Sequence, residues 1–276
     1  EIPICTLKNF PNAIEHTIQW ARDLFEGLYN KGPSDVNAYL SKSDFLSEMD
    51  QQGATKRATL EGIYENLVTS RPTTFDECIV WARLKFEQMY HNQIAQLLYN
   101  FPLDQLTSSG TPFWGGPKRP PVPVVFNAED PAHLDFIVAA SNLRAVVYGL
   151  SGPNRENYDY KAVLSKITVP TFSPQKGVKI ETDEKKKEGE TTEAALPDDD
   201  DVIRGLVDQT PKPSQLAGFR LNAVEFEKDD DTNHHIDFIT AASNMRARNY
   251  KIPEANKHQT KGIAGKIIPA MVTTTA

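Results

Sequence analysis

The chain of 276 residues has a formal net charge of −7, 24% charged and 39% hydrophobic residues. That length supports one large domain or two smaller ones. The acidic balance argues against a nucleic-acid partner, and no apolar run approaches the roughly 20 residues needed to span a bilayer. Two cysteines, Cys5 and Cys78, exclude a disulfide framework and a cysteine-rich zinc site, and they fit a reducing compartment. The opening Glu1-Ile2-Pro3 has no initiator methionine, basic start or apolar leader, so an excised fragment of a larger protein is expected.

Cys5 follows an apolar approach, Ile2-Pro3-Ile4, and precedes Pro11, which suits the first turn of a helix. The spacing places Cys5 on a loop just outside that helix. Nucleophilic cysteines occur in such places because a thiolate needs positive potential and access. On residue type alone, a small apolar residue packed beneath a helix is the favoured reading.

Residues 11–29 read as a helix, with Ile14, Ile18, Ala21, Phe25 and Leu28 at three- and four-residue steps and Gly32-Pro33-Ser34 as its stop. Two shorter helices are expected over 34–50 and 56–70, ended by Arg71-Pro72. Thr74-Phe75-Asp76-Glu77 has the spacing of a capping box, and the helix it opens runs to about Tyr99. Cys78 falls on its apolar face and is expected to be a buried, inert thiol.

Residues 101–125 are rich in turn formers and proline, which predicts an irregular crossing with polyproline character, anchored by Phe113 and Trp114. An internal repeat follows. His133-Leu134-Asp135-Phe136-Ile137-Val138-Ala139-Ala140-Ser141-Asn142-Leu143-Arg144-Ala145, ending at Tyr148, returns as His235 to Ala247, ending at Tyr250. Phe126 and Phe226 precede the copies. The spacing is too long for a solenoid, so two helices of similar packing role are expected, one per lobe.

Residues 181–201 carry dense charge and little apolar surface, which predicts a mobile loop. Pro211 to Gly218 reads as a linker. The stretch Asp229-Asp230-Asp231-Thr232-Asn233-His234-His235 lacks the glycine and glutamate of a calcium loop, and adjacent histidines diverge on a helix. Helix capping by Asp231, Thr232 or Asn233 is the better account.

Cys5-Thr6-Leu7-Lys8, Phe10-Pro11, Ile14-Glu15-His16-Thr17-Ile18 and Trp20-Ala21-Arg22 together resemble the active-cysteine segment of ubiquitin-activating enzymes. The Pro-rich segment Ser108–Pro121 resembles the same family, and Ile263 to Thr275 resembles its return loop into the nucleotide-binding domain. The resemblance implies a mainly α-helical cysteine domain of two helical lobes, with a few short strands and long irregular crossings, over 1–218. Residues 219–276 would then be a linker and the returning segment of an adenylation domain. It implies that Cys5 accepts ubiquitin's activated C-terminus as a thioester and passes it to a ubiquitin-conjugating enzyme. Thr6 and Lys8 would support the thiol. Asp183-Glu184 stands where the family often carries Asn-Asp near the thiol, a departure that leaves Asp183 the weaker carry-over. The implied partners are ubiquitin, conjugating enzymes and the chain's own adenylation domain, in cytoplasm and nucleus, with neither nucleic acid nor membrane.

The chemistry is consistent with that. A free thiol with pKa about 8.5 is already nucleophilic toward an acyl-adenylate, so no catalytic base is required. Neither phosphate-binding motif, G-x-G-x-x-G or G-x-x-x-x-G-K-[ST], occurs. No cofactor is therefore expected on this stretch, and ATP and Mg²⁺ would belong to the complete enzyme. A non-catalytic interaction module with a structural Cys5 is the rival class. A cysteine protease would need a base the sequence does not supply.

Overall fold

The computed structural model of the chain describes residues 1–150, 157–182 and 197–268. It is mainly α. In chain order it contains α1 (Ile4–Lys8), α2 (Ile14–Phe25), α3 (Gly32–Ser41), α4 (Phe45–Asp50), α5 (Thr55–Tyr64), α6 (Phe75–Phe86) and α7 (Gln93–Asn100). These are followed by α8 (Pro131–Val147), α9 (Tyr160–Leu164), α10 (Pro197–Gln209), α11 (His235–Tyr250) and α12 (Lys257–Ala264). Among the described residues, no helix is long and apolar enough to cross a membrane.

Gly32-Pro33 does not stop the first helix, contrary to the sequence reading. The chain stays helical from α2 into α3 through a π-helical turn, Glu26–Lys31. A proline inside a helix removes one N–H and crowds the carbonyl four residues back. That carbonyl belongs to Tyr29, and it accepts the Val224 N–H at 2.7 Å instead. The wider π turn just before Pro33 releases the ladder where the proline needs it. Another π-helical turn, Glu87–Asn92, joins α6 to α7. There the Tyr90 carbonyl accepts the Val124 N–H at 2.9 Å and Asn249 Nδ2 at 2.9 Å.

These bonds explain why the expected short strands are missing among the described residues. The irregular segments around Val124 and Val224 run against helices, so their N–H groups go to helix carbonyls. Among the described residues the only β pairing is the isolated bridge Leu106–Pro112.

The repeat is larger than the sequence reading recognised. Trp20-Ala21-Arg22, Phe25-Glu26 and Tyr29 recur as Trp81-Ala82-Arg83, Phe86-Glu87 and Tyr90. Arg22 pairs with Glu26 at 2.9 Å and lies 4.2 Å over the Phe226 ring. Arg83 pairs with Glu87 at 2.8 Å and lies 4.2 Å over the Phe126 ring. The His235 Nδ1 accepts the Glu227 N–H at 2.9 Å, and the His133 Nδ1 accepts the Asn127 N–H at 2.9 Å. The molecule is thus a duplicated unit, α2 with α11 and α6 with α8. The helices α8 and α11 pack on each other at the centre. Buried Ala139, Ala140, Ser141, Ala241, Ala242 and Ser243 let the backbones approach, and the Phe136 and Phe238 rings meet at 5.9 Å. The segment beyond residue 218 contributes to this same core through Leu221, Phe238, Ile239 and Met245.

Thr74 caps α6 by accepting the Glu77 N–H at 3.3 Å, while Glu77 reaches back to the Thr73 N–H at 2.6 Å. Asn233 caps α11 by accepting the His235 N–H at 2.9 Å. Of the charged stretch 181–201, residues 183–196 lie outside the described residues. From Pro197 the chain is helical rather than a loop: proline fits a first helical turn, and acidic residues are favourable at a helix N-terminus.

Candidate active site at Cys5

Cys5 sits within α1, not on a loop as the spacing suggested. Five helical residues without a side-chain N-cap bond cannot hold a helix by themselves, because nucleation is costly and the last carbonyls go unpaired. The partners come from far along the chain. Arg246 Nη2 donates to the carbonyls of Leu7 and Lys8, each at 2.6 Å. The Tyr250 hydroxyl donates to the Asn9 carbonyl at 2.7 Å. Three consecutive carbonyls at the end of α1 are therefore held by α11.

A second apolar cluster lies under the exit of α1. Phe10, buried, meets Phe113 at 5.9 Å and Trp114 at 5.8 Å, and Ile94, Leu97, Ala247 and Tyr250 complete the cluster. Phe113 stacks on Phe101 at 4.6 Å, and Trp114 Nε1 donates to the Phe101 carbonyl at 2.8 Å. Phe113 and Trp114 thus anchor the Pro-rich crossing, as expected, and in doing so they brace the cysteine segment.

Cys5 is partly exposed, whereas Cys78 is 0% exposed inside the main core. Lys8 lies three residues after Cys5, so α1 brings the two onto one face, and Lys8 is on the surface. Thr6, the next residue after Cys5, is turned about 100° away around the helix. Asp183 lies outside the described residues. The chain just before it does approach the site: Asn9 Nδ2 donates to the Glu181 carbonyl at 3.4 Å, and Ile180 packs on the cluster under α1. His16 Nδ1 accepts the Asn12 N–H at 3.1 Å, and burial lowers its pKa.

Sequence reading missed Arg246 and Tyr250 as site residues. The signal was present, since both belong to the quoted repeat as the counterparts of Arg144 and Tyr148. In the first copy, Arg144 Nη1 donates to Asn66 Oδ1 at 2.9 Å and Nη2 to the Ser70 carbonyl at 3.0 Å. The Tyr148 hydroxyl donates to the Asn66 carbonyl at 2.5 Å.

A partly exposed thiol on a tethered short helix, set into a duplicated all-helical body, describes a cysteine-bearing helical domain. Residues 11–261 match the family model described as ubiquitin-activating enzyme, SCCH domain, and the chain belongs to that family. It is 54% identical to ubiquitin-like modifier-activating enzyme 1 of Dictyostelium discoideum and 49% identical to the human protein of that name, in each case over 100% of this chain. It is 52% identical over 99% of its length to ubiquitin-activating enzyme E1 1 of Schizosaccharomyces pombe. The chain spans only 27%, 26% and 27% of the Dictyostelium, human and Schizosaccharomyces proteins.

Proposed function

We propose that Cys5 carries the thioester step of a ubiquitin-activating enzyme. The Cys5 sulfur attacks the carbonyl carbon of ubiquitin's C-terminal acyl-adenylate. A C–S bond forms, the bond to the phosphate oxygen breaks, AMP leaves, and the thiol proton passes to solvent. The thiol of a ubiquitin-conjugating enzyme then attacks the same carbonyl, and Cys5 departs as thiolate. AMP is a good leaving group, so a positioned, accessible thiol suffices without a base. In this reading ATP and Mg²⁺ act on the adenylation domain elsewhere in the complete protein. The proposed compartments are cytoplasm and nucleus, where a free thiol stays reduced.

The observation that carries the reading is the contrast between the two thiols: Cys5 partly exposed on a helix tethered at its far end, Cys78 sealed in the core. Lys8, on the same face as Cys5, is assigned a supporting role as a nearby positive charge. Thr6 is assigned a supporting role because its hydroxyl can hydrogen-bond the thiol or the developing oxyanion, and Asp183 on resemblance alone.

The test uses the complete protein with ATP, Mg²⁺ and ubiquitin. A thiol-sensitive ubiquitin adduct on a non-reducing gel should be lost in Cys5→Ala while adenylate formation persists. An adduct that survives Cys5→Ala overturns the assignment.

A further inference from the structure

A five-residue helix held from outside is only as well placed as the groups that hold it. Arg246 is 3% exposed, and its guanidinium stacks 4.7 Å from the Trp20 ring and 5.3 Å from the Tyr250 ring. Among the described residues no carboxylate pairs with this buried cation. Its Nη2 instead goes to the two carbonyls of Leu7 and Lys8. A cation is favourable there, because unpaired carbonyls concentrate negative potential at a helix C-terminus. Bonds from a charged donor are about twice as strong as neutral ones.

The duplicated half shows what such a pair does where no reactive group is involved. Arg144 is 2% exposed, stacks 4.5 Å from the Trp81 ring, and with Tyr148 holds Asn66 and Ser70 at the end of the helix that continues α5. The same Arg–Tyr pair, four residues apart in each copy, closes the end of a neighbouring helix. In the second copy that helix carries Cys5.

We propose that Arg246, assisted by Tyr250, is the positioning residue for the Cys5 thiol: it pins the carbonyl end of α1 to α11 and thereby sets where α1 holds the sulfur. Arg246 does not meet the reacting atoms. Its effect travels through the α1 backbone, whose last turn is closed by the Asn9 N–H and Phe10 N–H bonding to the Cys5 carbonyl at 2.9 and 3.2 Å. The proposal rests on Cys5 being the acceptor. It makes Arg144 an internal control of equal burial and similar surroundings.

The experiment compares Arg246→Met, Arg246→Lys, Tyr250→Phe and Arg144→Met in the complete protein. It reads amide hydrogen exchange over residues 4–10, adenylate formation by ATP–pyrophosphate exchange, and single-turnover thioester formation. Arg246→Met should speed exchange at Asn9 and Phe10 at least about tenfold and slow thioester formation by a similar factor, the consequence of losing charge-assisted bonds. Adenylate formation should be unchanged. Arg246→Lys, which keeps the charge but loses the planar guanidinium and its stacking, should fall between, and Tyr250→Phe should show the smaller effect of one neutral bond. Arg144→Met should lower the melting temperature as much without moving exchange at 4–10 or the thioester rate. Equal effects of Arg144→Met and Arg246→Met, or unchanged exchange at 4–10 in the Arg246 variants, would overturn the proposal. If Arg246→Met does not accumulate folded, the lysine and phenylalanine variants carry the same comparison. An adduct that persists in Cys5→Ala would defeat the acceptor assignment instead, and the exchange data would still report whether Arg246 holds α1.

Discussion

The Tyr90 hydroxyl donates to the Ala242 carbonyl at 3.0 Å and so crosses from one copy of the repeat to the central helix of the other. Tyr29 makes the reciprocal bond to Ala140 at 3.1 Å. Burial pushes both phenols well above their ordinary pKa, so they remain donors. Each carbonyl lies within a helix, so loss of the phenol weakens a second bond rather than orphaning the acceptor. Tyr29→Phe and Tyr90→Phe should each lower stability by about 0.5–1.5 kcal/mol in urea unfolding. Equivalent losses in the two variants are the signature of the duplication. A loss confined to one would show that only one crossing bond matters.

His133 and His235 make the fold sensitive to mild acid. Each imidazole accepts a backbone N–H at Nδ1 and packs on aromatic rings, and burial lowers the pKa of both below the ordinary value. Asp130 opposes this for His133, while Arg248 and Arg83 reinforce it. Asp230 opposes it for His235, while His234 and Arg22 reinforce it. A depressed folded pKa means that the unfolded chain binds protons first. Stability is therefore full above about pH 6.5 and is lost as pH falls from there through the folded values. Denaturant midpoints measured between pH 7.5 and pH 5 should fall, and His133→Gln with His235→Gln should flatten that slope. An unchanged slope in the double variant would remove these residues from the account.

The two thiols should differ sharply in reactivity. Cys78 is sealed in the core beside Ile79 and Ala82, so it reacts only through opening of α6, whereas Cys5 is partly exposed. Brief alkylation of the native chain, followed by mass spectrometry, should modify Cys5 at least about a hundredfold faster than Cys78. In denaturant the two rates should converge. Comparable native rates would mean that α6 opens readily.

The sequence was legible where structure is local. The α6 helix, its Thr74 cap and the inward face of Cys78 follow from periodicity and one hydroxyl, and the paired helices α8 and α11 from a visible repeat. It was opaque where distant groups complete a local element. Gly32-Pro33 reads as a stop because the Val224 N–H that takes the released Tyr29 carbonyl lies far along the chain. The α1 helix was invisible for the same reason, since its end is held by Arg246 from 239 residues away. The Trp20–Tyr29 and Trp81–Tyr90 match went unread because the recurring residues are separated by positions that differ in kind, such as Asp23 against Leu84, Leu24 against Lys85 and Gly27 against Gln88. Membership of the family was legible in the cysteine segment, yet the anchoring of that segment was not.

The helix ends after the repeat supply one more test. In the first copy Gly149 adopts φ 63°, and the Leu150 N–H reaches the Ala145 carbonyl at 2.9 Å. In the second copy Lys251 stands at the same place with φ 55°, and the Ile252 N–H reaches the Ala247 carbonyl at 2.9 Å. Both are left-handed C-caps of the same pattern, which glycine adopts without steric cost and a residue with a Cβ does not. The Lys251 side chain is exposed, and its backbone carbonyl accepts from Arg119 at 3.0 Å, a contact that does not use the lysine side chain. Lys251→Gly should therefore stabilise the chain by about 0.5–1 kcal/mol despite glycine's greater unfolded-state entropy, because relief of left-handed strain is worth roughly 1–2 kcal/mol. Gly149→Ala should destabilise by a similar amount, since it imposes on the first copy the strain the second already carries. Thermal and urea unfolding of the two variants check both signs, and a loss of stability in Lys251→Gly would show that the lysine side chain contributes more than its exposed position suggests.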